Sequence, residues 1–401
     1  MKERSPFYTS HPVPPQYFVG RKKEIERLHR ALEQVALGKN ENIFLTGERG
    51  IGKSSLASLC KISASENYKL IATHCYLDNI KSVAELCRSV LQGLLDENPE
   101  KSFLEKVKAI AGGYIKELEF ELPLIGLKTG IKFKEEPGEI EDLRLNFLSI
   151  FKNLYQTTKV EYKGFAIILD GLNGVTKVPG IALFLKSFID GLSGQIPLLF
   201  CLVGVEKGMN DLAAEQPSVT RIFTPVELGP MNEDECKEFY KNAFSKVNIP
   251  VDDDALSLMA TYSGGMPSLL QEIGEASFFA DMDNQIGDMD AVEGIKGASE
   301  VAGKKYFDHQ VFDEIRSPAR RKLLLKIVKS MQPLSAPLIR KNILQSLTEN
   351  EERDFDNLLR RLTSLDILKK GDERGQYIFQ NRLFPVYLHM FLAERIEKVG
   401  R

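Results

Sequence analysis

Apolar positions recur along the chain in two rhythms. Over residues 24–37 they follow the helical period, with Ile25, Leu28, Leu32 and Val35 on one side, which predicts an amphipathic helix. Five short, nearly continuous apolar runs come next, at residues 42–46, 70–77, 165–170, 197–204 and 224–228. Helical patterns separate them. Short apolar strands alternating with helices predict a parallel sheet buried on both faces, an α/β core.

The interval 79–156 is too long for one crossover helix, so it carries an insertion, placed at about residues 100–138. There Glu117, Glu119 and Glu121 alternate with apolar residues, and Lys128, Lys132 and Lys134 follow. An acidic and a basic strand of this kind would pair as a flap. Residues 1–16 read as an extended, Pro-rich leader. Residues 231–308 read as all-helical, and Asn232 with Glu235 predicts an N-terminal cap. From 309 the pattern changes again. Ser317-Pro318 opens a helix with proline in its first turn. Thr348-x-x-Glu351 caps a helix over 349–365, and "ILKKGDERGQYIF" reads as a hairpin. Helices followed by a small hairpin predict a winged helix. The expected domains are therefore a core over 1–230, a helical segment over 231–308 and a winged helix over 309–401.

Composition narrows this picture little. A chain of 401 residues, 43% hydrophobic and 27% charged, is an ordinary globular protein of two or three domains. Its net charge of −3 gives no global argument for nucleic acid. Five cysteines without a CxxC predict buried reduced thiols rather than disulfides or zinc. No run approaches the roughly 18 apolar residues of a membrane helix, and the N-terminus has no apolar signal segment. A cytoplasmic protein with no membrane partner is the expectation.

The strongest chemical signal is "FLTGERGIGKSS" at residues 44–55. Gly47-x-x-x-x-Gly52-Lys53-Ser54 is the P-loop pattern, with an apolar strand before it and a helical pattern after it. Glycines let the backbone of Gly47, Glu48, Arg49, Gly50, Ile51 and Gly52 curl so that its N–H groups meet phosphates. The helix start at Lys53, Ser54 and Ser55 adds its positive dipole end. Lys53 would reach the terminal phosphates of ATP or ADP, and the Ser54 hydroxyl would bind Mg²⁺. Asp170, closing the buried run 165–170, is the second expected Mg²⁺ residue.

These residues resemble a known family. "YFVGRKKEIERL" (17–28) is similar to the box that precedes the P-loop in AAA+ ATPases and in the related STAND signalling ATPases. "LDGLN" resembles the LDGLDE segment of the NACHT branch. "TRIFTPVELGPM", followed by helices and "SGGMPSLLQEIG", resembles the end of an AAA+ core and its lid. The winged helix matches archaeal-type and origin-recognition ATPases. The resemblance implies a P-loop ASCE core, a helical lid and a winged helix. It also implies that Phe18 and Val19 wall the adenine, although they serve equally as a staple for the next helix. Pro267 would stand near the base. Arg221 would be a finger reaching a neighbouring subunit's phosphates, against the alternative of a solvated arginine at a strand entrance. A finger requires a homo-oligomer in the ATP state.

The chain departs from that family in "LDGLNGV". Gly171 follows Asp170 where many such ATPases have glutamate, and Asn173 and Gly174 stand where the NACHT-like pattern has acids. An amide orients water but takes no proton at neutral pH. Gly204 and Val205 replace the usual polar residue after the fourth strand. Glu48 and Glu206 are the nearest remaining carboxylates in site loops and the two candidate bases, although P-loop geometry would aim Glu48 outward. Gly171→Glu would restore an acid if the glycine is not needed for its backbone angle. His74 and Cys75 lie on opposite faces of a strand and make a poor catalytic pair, and His11, His29, His309 and His389 show no ligand spacing.

The last segment stands apart in charge. Residues 310–401 hold 18 Lys and Arg against 12 Asp and Glu, a net +6, which leaves −9 for the rest. Lys369, Lys370 and Arg374 on the hairpin suit DNA phosphates, yet the helix that would enter the groove begins "ENEERDFD" and is acidic. DNA binding and protein docking both remain open for this domain. Three functions fit: an ATP-dependent switch with weak hydrolysis acting on a partner protein or DNA, a DNA-loading ATPase, and a nucleotide-bound signalling scaffold without turnover.

Overall fold

The computed structural model describes residues 4–10, 12–98, 100–111, 117–118, 131–132, 139–305, 307, 315 and 317–392. Glu119, Glu121, Lys128, Lys134, His11 and His309 lie outside them. The molecule divides into two units, one of residues 12–229 and one of residues 1–11 with 230–401.

In the first unit the elements run α1 (Lys22–Ala36), β1 (Asn40–Gly47), α2 (Lys53–Glu66), β2 (Leu70–Tyr76), α3 (Val83–Glu97), α4 (Lys101–Ala111), β3 (Glu117–Leu118), β4 (Ile131–Lys132), α5 (Glu139–Thr158), β5 (Gly164–Asp170), α6 (Ile181–Leu192), β6 (Leu198–Gly204), α7 (Glu206–Glu215) and β7 (Thr224–Leu228). Each apolar run of the sequence forms a strand of one parallel sheet, in the order β2-β5-β6-β1-β7. All seven residues of β5 and of β6 are buried, as continuous apolar strands require when helices cover both faces. Aromatic side chains pack in this core, with Phe165, Phe151, Phe188 and Phe200 in successive edge contacts. In the insertion, β3 and β4 pair antiparallel with Glu117 opposite Lys132.

The second unit holds α8 (Glu233–Ser245), α9 (Asp253–Ser263), α10 (Pro267–Ala280), α11 (Asp288–Ala302), α12 (Pro318–Lys329), β8 (Leu338–Ile339), α13 (Arg340–Leu344), α14 (Glu349–Ser364), β9 (Leu368–Lys370), β10 (Gln376–Phe379) and α15 (Leu383–Tyr387). Asn232 and Glu235 exchange the two hydrogen bonds of a capping box at the start of α8. The order α12, β8, α13, α14 and the hairpin β9–β10, with β8 added antiparallel to β10, is the connectivity of a winged helix. The first residues of the leader belong here. Phe7 is buried against Phe239, Tyr240 and Phe244, over Gly274, where an added β-carbon would strike its ring. No helix among the described residues is long and apolar enough to cross a membrane.

Candidate nucleotide site

The loop between β1 and α2 turns on three glycines. Gly47, Gly50 and Gly52 have φ of +149°, +79° and +94°, angles that L side chains rarely adopt. At Gly47 space is also closed, because an added β-carbon would lie 2.6 Å from the Leu228 carbonyl of β7. Ile51 is buried and anchors the loop, while Glu48 and Arg49 are exposed. The Lys53 ammonium lies along the loop and donates to the carbonyls of Gly47 (3.0 Å) and Glu48 (2.7 Å). Burial pushes its pKa below the ordinary lysine value, and the nearby Asp170 carboxylate opposes that shift. Ser54 and Ser55 lie in the first turn of α2, and the Ser55 hydroxyl accepts the Val13 N–H at 3.1 Å.

A residue that pattern reading passes over holds this loop from below. Arg21 is buried, caps α1 with φ of +61°, and its guanidinium donates to the carbonyls of Ile51 (3.1 Å) and Gly229. It ties the phosphate loop to the end of β7. Phe18 and Val19, just before it, are half-buried.

Asp170 ends β5, one strand away from β1, since β6 runs between them. It is buried, and its Oδ2 lies 3.1 Å from His74 Nε2. His74 Nδ1 in turn lies 3.3 Å from the Ser58 hydroxyl on α2. His74 and Cys75 form no pair. The pairing that matters runs across strands, because His74 is opposite Ile168 in the register and Asp170 lies two residues further on the same face. A carboxylate and a hydroxyl are hard oxygen donors of the kind Mg²⁺ prefers. Among the described residues no hydrogen-bond donor other than His74 meets the Asp170 carboxylate, while its backbone carbonyl accepts the Leu77 N–H. Asp170, Ser54 and Lys53 therefore fit a bound metal–nucleotide.

Beyond Asp170 the chain turns sharply. Gly171 has φ of +87°, and its N–H donates to the Val203 carbonyl. Asn173, on the following 3-10 turn Leu172–Gly174, uses its Oδ1 to accept the Val205 N–H at 3.4 Å. The carboxylate beside this turn is Asp78, whose Oδ1 is 3.0 Å from where a β-carbon on Gly171 would stand. Glu206 is exposed at the start of α7. Arg221 is exposed on the short turn Thr220–Ile222 that leads into β7. Pro267 is the first residue of α10 in the other unit. Lys369, Lys370 and Arg374 are all exposed on the β9–β10 hairpin.

Residues 17–200 match the family model of the AAA ATPase domain. No curated protein matches the sequence. Among solved structures, the Walker-type ATPase PABY2304 of Pyrococcus abyssi is similar at 20% identity and a TM-score of 0.59, covering 96% of this chain and 100% of that one. The Aeropyrum pernix ORC2 protein in its ADPNP–ADP complexes is similar at 15% identity and a TM-score of 0.61, covering 100% of this chain and 99% of that one. Such identities establish a shared fold. With the parallel five-stranded sheet, the glycine-turned phosphate loop and Asp170 at the end of β5, the match makes residues 17–200 an ATP-binding P-loop ATPase domain of the AAA+ type.

Proposed function

We propose that the protein is an ATP-dependent switch that holds ATP or ADP with Mg²⁺, hydrolyses slowly, assembles in its ATP state and acts on a partner. The carrying observation is the turn after Asp170. Gly171 offers no side chain, and the Asn173 amide is engaged by the Val205 N–H. Phosphoryl transfer rests on positioning and charge stabilisation, so Lys53, Ser54 and Asp170 support binding while the chemical step lacks a glutamate base. When bound, Mg²⁺ would neutralise phosphate charge; the chain's own groups orient it. The likeness to the ORC2 protein, solved with ADPNP and ADP, supports adenine nucleotide as ligand.

Single-turnover hydrolysis on purified protein tests this reading. A chemical step below the ordinary range of about 1–100 per second, beside tight nucleotide binding, is expected. A fast step in a dilute monomer overturns it. If Arg221 completes the site of a neighbour, Arg221→Ala leaves binding intact and lowers turnover only at concentrations where the protein assembles.

The exposed cations of the hairpin favour DNA as the partner. Replacing Lys369, Lys370 and Arg374 together would then flatten the salt dependence of DNA binding, by about 0.9 in slope for each phosphate no longer neutralised. Wild type without DNA affinity at low salt would assign the winged helix to protein docking.

A further inference from the structure

We infer that His74 is a positioning residue for the metal-binding carboxylate Asp170, held in place by Ser58 of the phosphate-loop helix. The inference rests on the proposed role of Asp170 and Ser54 toward Mg²⁺.

Four side chains form the cluster. His74 and Asp170 are almost fully buried, at 5% and 8% side-chain exposure, so neither leaves a polar group unpartnered without cost. A carboxylate only accepts hydrogen bonds, so the proton between them sits on His74 Nε2. In the neutral ring Nδ1 is then the acceptor for the Ser58 hydroxyl. The Tyr76 ring packs on the imidazole with centroids 4.7 Å apart. Contacts at both ring nitrogens and on the ring face hold the imidazole in one orientation. With Oδ2 held by His74, Oδ1 of Asp170 is the carboxylate oxygen left for a cation.

The helix closes the arrangement. Ser54 and Ser58 are four residues apart on α2 and therefore lie on one face, one turn above the other. Ser58 faces His74, so Ser54 faces the same side of the sheet, toward the strand ends. One helix thus presents a hydroxyl for the cation and a second hydroxyl for the residue that orients the other cation ligand. Outer partners of this kind typically change metal affinity by about 10–100-fold. Sequence order hides the device, since Ser58, His74 and Asp170 come from three different elements.

The test measures ADP affinity by calorimetry with and without Mg²⁺ on the full chain, so catalysis is not the readout. His74→Leu should leave metal-free ADP affinity within about twofold and reduce the Mg²⁺-dependent gain by about 10–100-fold. His74→Gln, whose amide nitrogen stands near the place of Nε2, should restore most of that gain. Ser58→Ala, a mild change on the helix face, should give an intermediate reduction and carries the test if His74→Leu fails to fold. Full Mg²⁺ dependence in His74→Leu or, failing that variant, in Ser58→Ala overturns the inference. So does a parallel fall in metal-free affinity, or no rescue by Gln. Wild type whose ADP affinity ignores Mg²⁺ would instead refute the cation role of Asp170 itself.

Discussion

Arg21 offers the sharpest test of how the phosphate loop is held. Its guanidinium is buried and forks to two carbonyls, Ile51 in the loop and Gly229 at the end of β7. Hydrogen bonds to a charged group contribute about 1.5–3 kcal/mol each, so the pair is worth about 3–6 kcal/mol at most. Gly229 is only half-buried, and water can replace part of that bond. Arg21→Ala should therefore lower stability by about 2–4 kcal/mol. The backbone gives a second, independent signature. Arg21 sits at φ of +61°, a conformation that costs a non-glycine residue about 1–2 kcal/mol. Alanine keeps that strain and glycine releases it, so Arg21→Gly should be about 1 kcal/mol more stable than Arg21→Ala. Arg21→Lys keeps the charge without the fork, and should fall between wild type and alanine. The measurement is urea unfolding by circular dichroism, reading the transition that ADP shifts, because ligand stabilises the unit that binds it. ADP affinity should fall in the same order. An alanine variant within about 0.5 kcal/mol of wild type, or a glycine variant less stable than alanine, would refute the clamp.

Lys53→Ala should abolish tight ATP binding in calorimetry while thermal unfolding stays close to wild type, since the lysine's own partners are two loop carbonyls. Gly171→Glu should not raise turnover. It forces a side chain into φ of +87° beside the Asp78 carboxylate, and a thermal melt should show destabilisation of roughly 1–2 kcal/mol. Glu351 is held down to about 2 by the Lys326 ammonium and by the Thr348 N–H and hydroxyl. A lowered carboxyl pKa stabilises above its ordinary value of 4.5, and that stabilisation disappears as pH falls toward about 2. Over that window wild type should lose stability faster than Glu351→Gln in acid titrations of unfolding, and equal slopes would count against the ion pair.

The strands are legible because burial on both faces demands continuous apolar runs, and each of the five runs lies within one residue or two of an observed strand. The P-loop is legible because a local backbone need writes a local motif. His74 is not. Its partner Asp170 is 96 residues away, and only the parallel register of β2 on β5 brings them together. Arg21 sits inside a recognisable motif, yet its role depends on carbonyls at 51 and 229, and carbonyls leave no trace in side-chain patterns. Asp78 is hidden for a similar reason. It lies just past β2, and nothing in its own surroundings announces the turn at Gly171. Gly171 itself reads in the sequence as a missing acid, whereas the structure shows a required backbone angle.

That turn has a wider consequence. Having bent at Gly171, the chain lays Leu172 and Asn173 across the end of β6. A β-carbon on Gly204 would stand 2.8 Å from Leu172 Cβ and 3.3 Å from Asn173 Oδ1, and one on Gly208 would stand 2.6 Å from the same oxygen. Gly171 and Gly204 thus serve a single chain path seen from two positions. Neither is replaced alone, because an acid at 171 meets the wrong angle and a larger residue at 204 meets the folded-over turn. Engineering brisk hydrolysis into this scaffold would mean exchanging 171–174 and 204–208 as one block. Substitution at either position alone meets an occupied space or a left-handed backbone angle, so the two glycines hold one chain path between them.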